Sequence, residues 1–440
     1  MKRPRVLAWV ALLFAPSLWA ITTSGRVTLG AYTGIEQLAE SSGGEFRNDV
    51  FTASGRFFFR AAEITANRFE FVSDVRDKND FFGLLDKERL RLTNANTLQL
   101  RQLLFRYPGP TFFTQLGRFA VPEAGAVYTD GVQQGVHLLS SLRGSVFGGL
   151  NPKRPEQTYV QYNPDSQVYG VTVSYVPLFI PGKGSIAVDM AGVGTLVNNQ
   201  TDRLYWYTNS VYQWGPRSRV SLLTYLDFVP NTYLQNGTLN YSQEVRKDLG
   251  FGVTLFSIDV LEYQRRQNVR EQLTSSPYRE ANTRVRYEFA PDATLNLTYA
   301  FGQRDSDSLQ KKEATLELDM NAVFSRRWDF AVSGGYRDNF ASYDTFANAR
   351  INYISNVWEV ALEEQLGIEN YKGGGPTYHP ITTELSISRI IDNSLYGTLS
   401  IQDIRDERVQ ILSTFFKIAY RFGSREIPPL RDGEPPRGNL

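Results

Sequence analysis

Two histidines, His137 and His379, are the whole imidazole complement of 440 residues, and cysteine is absent. Without thiols there is no disulfide, no thiolate metal site and no lipoprotein anchor, which fits an exported chain that avoids thiol chemistry. Ser140 and Ser141 follow His137 closely. Neighbours along a strand do not make a triad, which needs its nucleophile, base and orienting acid brought together by the fold. His379 sits in NYKGGGPTYHP, where a turn role is the natural one. Carboxylates cluster in SDVRDKND (Asp74, Asp77, Asp80) and RDSDS (Asp305, Asp307). Hard cations favour oxygen ligands, but neither stretch has EF-hand spacing, so solvated charge is the better reading. GFG and GGG here do not lie between a strand and a helix, so no phosphate or dinucleotide motif is formed. No catalytic residue, cofactor or metal is expected.

Charge that recurs at every second position is a stronger signal. In 50–61, Phe51, Ala53, Phe57 and Phe59 point one way, and Thr52, Ser54, Arg56 and Arg60 the other. In 68–76, Phe69, Phe71 and Val75 alternate with Arg68, Glu70, Asp74 and Arg76. Val285, Tyr287 and Phe289 alternate with Arg284, Arg286 and Glu288. Leu316, Leu318 and Met320 alternate with Glu317 and Asp319, and Trp358, Val360 and Leu362 with Glu359 and Glu363. Period two means strands with one apolar and one polar face. Tight links such as Tyr107-Pro108-Gly109-Pro110 and Trp214-Gly215-Pro216-Arg217 separate many of them. The segments 131–141, 144–150, 169–176 and 249–262 show the pattern least clearly. No helical stripe of any length appears, and 81–92 is the one helix-like piece. No apolar run after the N-terminus reaches the ~18 residues that a membrane helix needs.

The final segment, QILSTFFKIAYRF, states the pattern most plainly. Leu412, Phe416, Ile418, Tyr420 and Phe422 share an apolar face, and Ser413, Phe415, Lys417, Ala419 and Arg421 the opposite one. It resembles the C-terminal strand of bacterial outer-membrane β-barrels, which ends in an aromatic with apolar residues at every second position before it. The resemblance implies that Phe416, Ile418, Tyr420 and Phe422 form the signal read by the barrel assembly machinery. In most porins that aromatic is the last residue, whereas here residues 423–440 follow.

The expected fold is therefore all-β: a transmembrane antiparallel up-and-down barrel with an even number of strands, about 18–22. A soluble sandwich would charge the outer faces of its sheets, and a propeller would show a repeat of ~40 residues that is not visible. Such a barrel encloses water, so inward groups set what passes. The expected pore-lining residues are Arg56, Arg60, Arg68, Glu70, Asp74, Arg76, Arg284, Arg286, Glu288, Glu317, Asp319, Glu359, Glu363, Lys417 and Arg421, with Arg337 and Arg350 further along. In porins a loop from the first third of the chain folds into the pore. By that resemblance the Gly-rich stretch 117–149, or the loop 151–167, is the candidate. Outer-membrane phospholipases and proteases are barrels too, but neither family's motif is present. The expected function is passage of small polar or charged solutes. One rival is a barrel for polysaccharide export or an envelope-spanning machine, which lumen aromatics would favour, with Phe105, Phe346, Tyr396 and Phe415 the candidates by parity. The other is a scaffold or adhesin acting through loops 77–94, 230–247 and 264–281.

The ends carry their own signals. Lys2, Arg3 and Arg5, then the apolar stretch 6–14, then a small residue at Ala20 read as a signal peptide cleaved near Ala20. Its removal takes the net charge from +1 to −2, and neither value suggests nucleic-acid binding. The division is a leader (1–20), a barrel (21–422) and a Pro-rich periplasmic tail (423–440). The tail is expected to be extended, and it could meet peptidoglycan or a periplasmic partner. Outer-membrane lipid and lipopolysaccharide are the expected surroundings.

Overall fold

The computed structural model describes residues 22–39, 45–64, 69–82, 95–152, 164–180, 184–229, 232–258, 278–305, 309–392 and 394–423. The leader, the tail beyond Gly423, Arg68 and the helix-like stretch beyond Phe82 lie outside them, as do Asp307 and most of the loops 151–167 and 264–281.

Strands follow one another almost without interruption. They are β1 (Thr22–Ala39), β2 (Glu45–Glu63), β3 (Phe69–Phe82), β4 (Ala95–Pro108), β5 (Phe112–Val121), β6 (Val127–His137), β7 (Leu142–Leu150) and β8 (Ser166–Ile180). Next come β9 (Gly184–Val197), β10 (Gln200–Gln213), β11 (Arg219–Asp227), β12 (Tyr233–Arg246), β13 (Leu249–Ile258), β14 (Tyr278–Ala290), β15 (Ala293–Arg304) and β16 (Gln310–Met320). The rest are β17 (Trp328–Asp338), β18 (Ser342–Ile354), β19 (Trp358–Tyr371), β20 (Thr377–Tyr378), β21 (Ile381–Ile390), β22 (Leu395–Arg405) and β23 (Val409–Gly423). Neighbours in the chain pair antiparallel, and β20 and β21 both pair with β19 as two pieces of one stave. β23 returns to pair with β1 over Ser24–Leu38, closing a barrel of 22 staves. Closure leaves no sheet edge, so lipid meets no unpaired row of backbone groups.

The start of β1 and the end of β23 sit on one rim, where Ser24 lies opposite Gly423. The links on that rim are short, and the long segments 83–94, 151–165 and 259–277 are all on the other. Short links face the periplasm in barrels of this kind.

Parity separates the two faces. Leu29, Phe51, Phe69, Leu103, Val171, Leu255, Leu297, Leu316, Leu362 and Tyr420 are exposed on the outside. Aromatic contacts gather near the short-link rim on that same face: Phe69–Tyr107 at 5.3 Å between ring centres, Tyr107–Phe112 at 5.1 Å, Tyr212–Trp214 at 5.5 Å and Trp328–Tyr353 at 5.0 Å. This is an interfacial girdle, where amphipathic rings meet headgroups. The exposed greasy surface is a membrane face rather than a failed core.

Two expectations change. Residues 230–247 are not a surface loop, because most of them form β12. A β-bulge between Tyr225 and Leu226 places Gln235 out of step, which hides the alternation. Phe105 faces outward, 5.0 Å from Phe71, not into the lumen. A second bulge, opposite the Asp74–Val75 step, inserts Arg101 and reverses parity along β4.

Candidate channel lumen

Cross-strand registers bring the predicted charges to the inner face. Arg56 on β2 grips Asp74 on β3 in a fork, Nε to Oδ1 at 2.9 Å and Nη2 to Oδ2 at 2.8 Å. Arg60 donates to Glu70 at 2.8 Å, and Arg106 of β4 takes the other Glu70 oxygen. Arg76 stands opposite Arg56, and Arg421 opposite Arg26. Lys417 and Arg421 lie 5.6 and 5.9 Å from the Tyr396 ring centre. This arc, β22 to β4, carries more cations than carboxylates. Arg106 and Arg26 were missed as lumen groups by sequence reasoning, because the β4 bulge and a Gly-rich β1 blur the alternation there.

The arc from β14 to β21 has the opposite balance. Arg284 donates to Asn296 at 3.0 Å, and Asn296 to Asp319 at 2.8 Å. Arg286 pairs with Glu288 at 2.6 Å, and Arg217 reaches the same carboxylate at 2.7 Å. Glu317 lies opposite Asn296, with Asp319 two residues on. Arg337 forks onto Asp344 at 3.0 and 2.8 Å. Glu363 and Glu384 face each other across β19 and β21. They are held by Asn348 and Ser400, each at 2.8 Å, rather than by cations. Glu359 and Arg350 share this inner face through the β18–β19 register. Phe346, Tyr396 and Phe415 also point inward by register. The two arcs set an electric field across the lumen instead of a uniform sign.

The third part is a hairpin tip that leaves the wall. β5 pairs with β4 only up to Arg118, and β6 with β7 only from Asp130. Beyond those points the strands stay paired to each other and turn inward. Gly117 adopts φ +120°, which an L side chain rarely takes, and starts the departure. A 3-10 turn, Pro122–Ala124, follows and ends on Gly125 at φ +75°. Phe119, Val121, Ala124 and Val127 are buried against Val168, Val193, Tyr205 and Tyr207 on the inner wall of β8–β10. Burying each larger side chain contributes about 1.5–3 kcal/mol. Tyr225 Oη donates to the Gly125 carbonyl at 3.2 Å, and Arg143 donates to Glu123 at 2.5 Å. A chain of polar side chains, Gln115–Gln133–Ser145–Thr172, lines the wall nearby at 3.0, 2.8 and 2.6 Å.

The stretch 117–149 therefore holds the inward element, although only residues 119–129 of it leave the wall. His137 lies against Phe113, 5.7 Å between ring centres, and His379 against Glu407 at 2.6 Å. Alternation sends Asp77 to the face opposite Asp74 and Asp80.

The chain's architecture is a closed β-barrel with an apolar outer face and a charged inner one. No protein-family model matches the sequence, and no curated protein is similar to it. Among solved structures the chain is similar to OccK7 (OpdD) of Pseudomonas aeruginosa, with a TM-score of 0.45 and 9% identity over 92% of this chain and 100% of that one. It is also similar to OpdQ of the same organism, with a TM-score of 0.44 and 8% identity over 91% and 98%. OccAB4 of Acinetobacter baumannii gives 0.40 and 7% over 92% and 98%. Similarity at this level is weak, and the function is read from the barrel's own two faces.

Proposed function

We propose that the chain is a water-filled outer-membrane pore for small polar or charged solutes. The carrying observation is the inner wall: paired and amide-held charges run around it, and one inward hairpin narrows it on the β8–β10 side. A wall of fixed dipoles and charges replaces part of a solute's hydration, while an apolar constriction would exclude it. The expected pore-lining residues act here as the two arcs of that field, with Arg56, Arg60, Arg76, Lys417 and Arg421 on one and Glu317, Asp319, Glu363 and Glu359 on the other. Residues 1–20 are the export leader in this reading. In the same reading Phe416, Ile418, Tyr420 and Phe422 serve assembly, and residues 423–440 are a periplasmic tail.

Single-channel recording of the refolded chain in a planar bilayer tests the proposal. Steady conductance steps, with a selectivity that responds to lumen charge, are expected. A correctly folded barrel that stays silent overturns it.

A further inference from the structure

The outer wall carries a trough that the pore does not use. Across the antiparallel ladder, Thr224, Gly237, Ser257, Arg279 and Gln303 stand in one row on β11–β15. The next row is Leu222, Leu239, Leu255, Ala281 and Phe301, continuing to Lys312 on β16. Small residues in the first row form a floor, and Leu234, Leu239 and Leu255 rise beside it as exposed walls. The resulting groove encloses about 460 Å³. At strand spacing, the floor from Thr224 to Arg279 is about 14 Å long.

The trough has a direction. Thr224 lies inside β11, three residues from its end, while Arg279 is the second residue of β14 and Gln303 the next to last of β15. It climbs from the hydrocarbon level to the long-loop rim, and it ends in cations. The Arg279 side chain is 68% exposed and shares only part of its guanidinium with Asp305 at 2.9 Å. Lys312 is exposed on the same outer face, opposite Asp338 of β17, whose carboxylate pairs with Lys372 at 2.5 Å. Lys312 lies two strands and one row from Arg279, about 12 Å away. Three cations, Arg279, Lys312 and Lys372, thus share two carboxylates, Asp305 and Asp338, and excess positive charge at the edge of a lipid-facing wall is stable where an anionic headgroup meets it.

We propose that this trough binds one acyl chain of a phosphorylated, multiply acylated glycolipid of the outer leaflet, its phosphate seated between Arg279 and Lys312. The proposal rests on the outer-membrane reading but not on the pore being open.

The test is native mass spectrometry of the chain purified from outer membranes in mild detergent, with lipid A and with neutral phosphatidylcholine as probes. Lipid A is expected to remain bound and phosphatidylcholine to be lost. The R279Q/K312Q variant should weaken lipid A binding about tenfold or more. G237L, which fills the floor and leaves both cations in place, should weaken it similarly. Heat-modifiable migration on gels checks that each variant is a closed barrel. Should G237L not fold, T224L fills the deep end instead. Equal retention of lipid A by wild type and charge variant overturns the proposal, as does equal retention of both probes. A dimer mass that the trough variants abolish also overturns it, assigning the trough to a second copy. Conductance recorded on the same samples separates the two readings: a conducting barrel that binds no lipid A loses only the trough, and a silent one that binds it loses only the pore.

Discussion

Arg118 and Asp130 meet through two 2.5 Å contacts, Nε to Oδ1 and Nη2 to Oδ2, at the point where the β5–β6 hairpin leaves the wall. The third guanidinium nitrogen donates to the Leu100 carbonyl at 3.2 Å, so the pair also ties the departing hairpin to β4. Both side chains are less than a tenth exposed.

Removing one member leaves the other charge buried and unpaired. Asp130→Ala is expected to destabilise the barrel by about 3–5 kcal/mol, while Arg118→Leu with Asp130→Leu should cost much less. Denaturant unfolding of the refolded barrel measures both. If the double variant is as damaged as the single one, packing rather than charge holds the junction.

The tip governs the width of the lumen. Replacing 122–126 by a two-glycine turn is expected to raise single-channel conductance without changing barrel stability below the junction. Glu123→Gln, which weakens the link to Arg143, should act in the same direction but less. Unchanged conductance in both would mean that the narrowest level lies elsewhere.

Charge arcs of opposite sign should be separable by reversal potential in a salt gradient. Glu363→Gln with Glu384→Gln removes two carboxylates held by an amide and a hydroxyl group and is expected to move selectivity toward anions. Arg56→Gln should move it the other way, toward cations, because Asp74 is left uncompensated, and by less, because one charge is removed and Arg76 and Arg60 remain. A shift of opposite sign in the glutamate variant would rule out these carboxylates as lumen charges.

The long-link rim should respond to acid. Glu407 accepts hydrogen bonds from the His379 ring at 2.6 Å and its backbone N–H at 2.9 Å, which hold the carboxyl below its usual range. Asp406 is pushed upward by burial, but bonds from the Arg408 side chain and from the Arg408 and Val409 N–H groups outweigh this and leave it lowered. A depressed folded pKa gives stability that is present above the ordinary carboxylate value of about 4 and is lost as pH falls through the lower folded one. The protection factor of the Val409 amide against hydrogen exchange should therefore be high at neutral pH and fall below pH ~4. Asp406→Asn should abolish that dependence.

How much of this was legible beforehand depends on whether period two was kept. Where it was, as in Phe57/Arg56 or Leu316/Glu317, one glance along the strand separated lipid from lumen. Where a bulge adds a residue, as at Arg101 and Gln235, parity reverses within a strand, and Phe105 was put on the wrong face. Nothing local marks such an insertion, because it is set by the partner strand. The inward tip was only half visible: glycines at 117 and 125 flagged unusual backbone, but their target is formed by Tyr205, Tyr207 and Val193, some 80 residues on. The outer trough was invisible, since its floor is a row across five strands and no two of its members are neighbours in the chain.

The seam between β1 and β23 has a temporal meaning as well as a structural one. Leu29 finds Ile418, and Gly25 finds Phe422, across almost the whole length of the chain. Until the last strand arrives, β1 holds one satisfied edge and one open one, and no smaller ring of staves can close in its place with the same register. The polypeptide must therefore stay unfolded, and be kept from aggregating, through its entire passage to the membrane. Closure is a late event, in which the last strand pairs with the first.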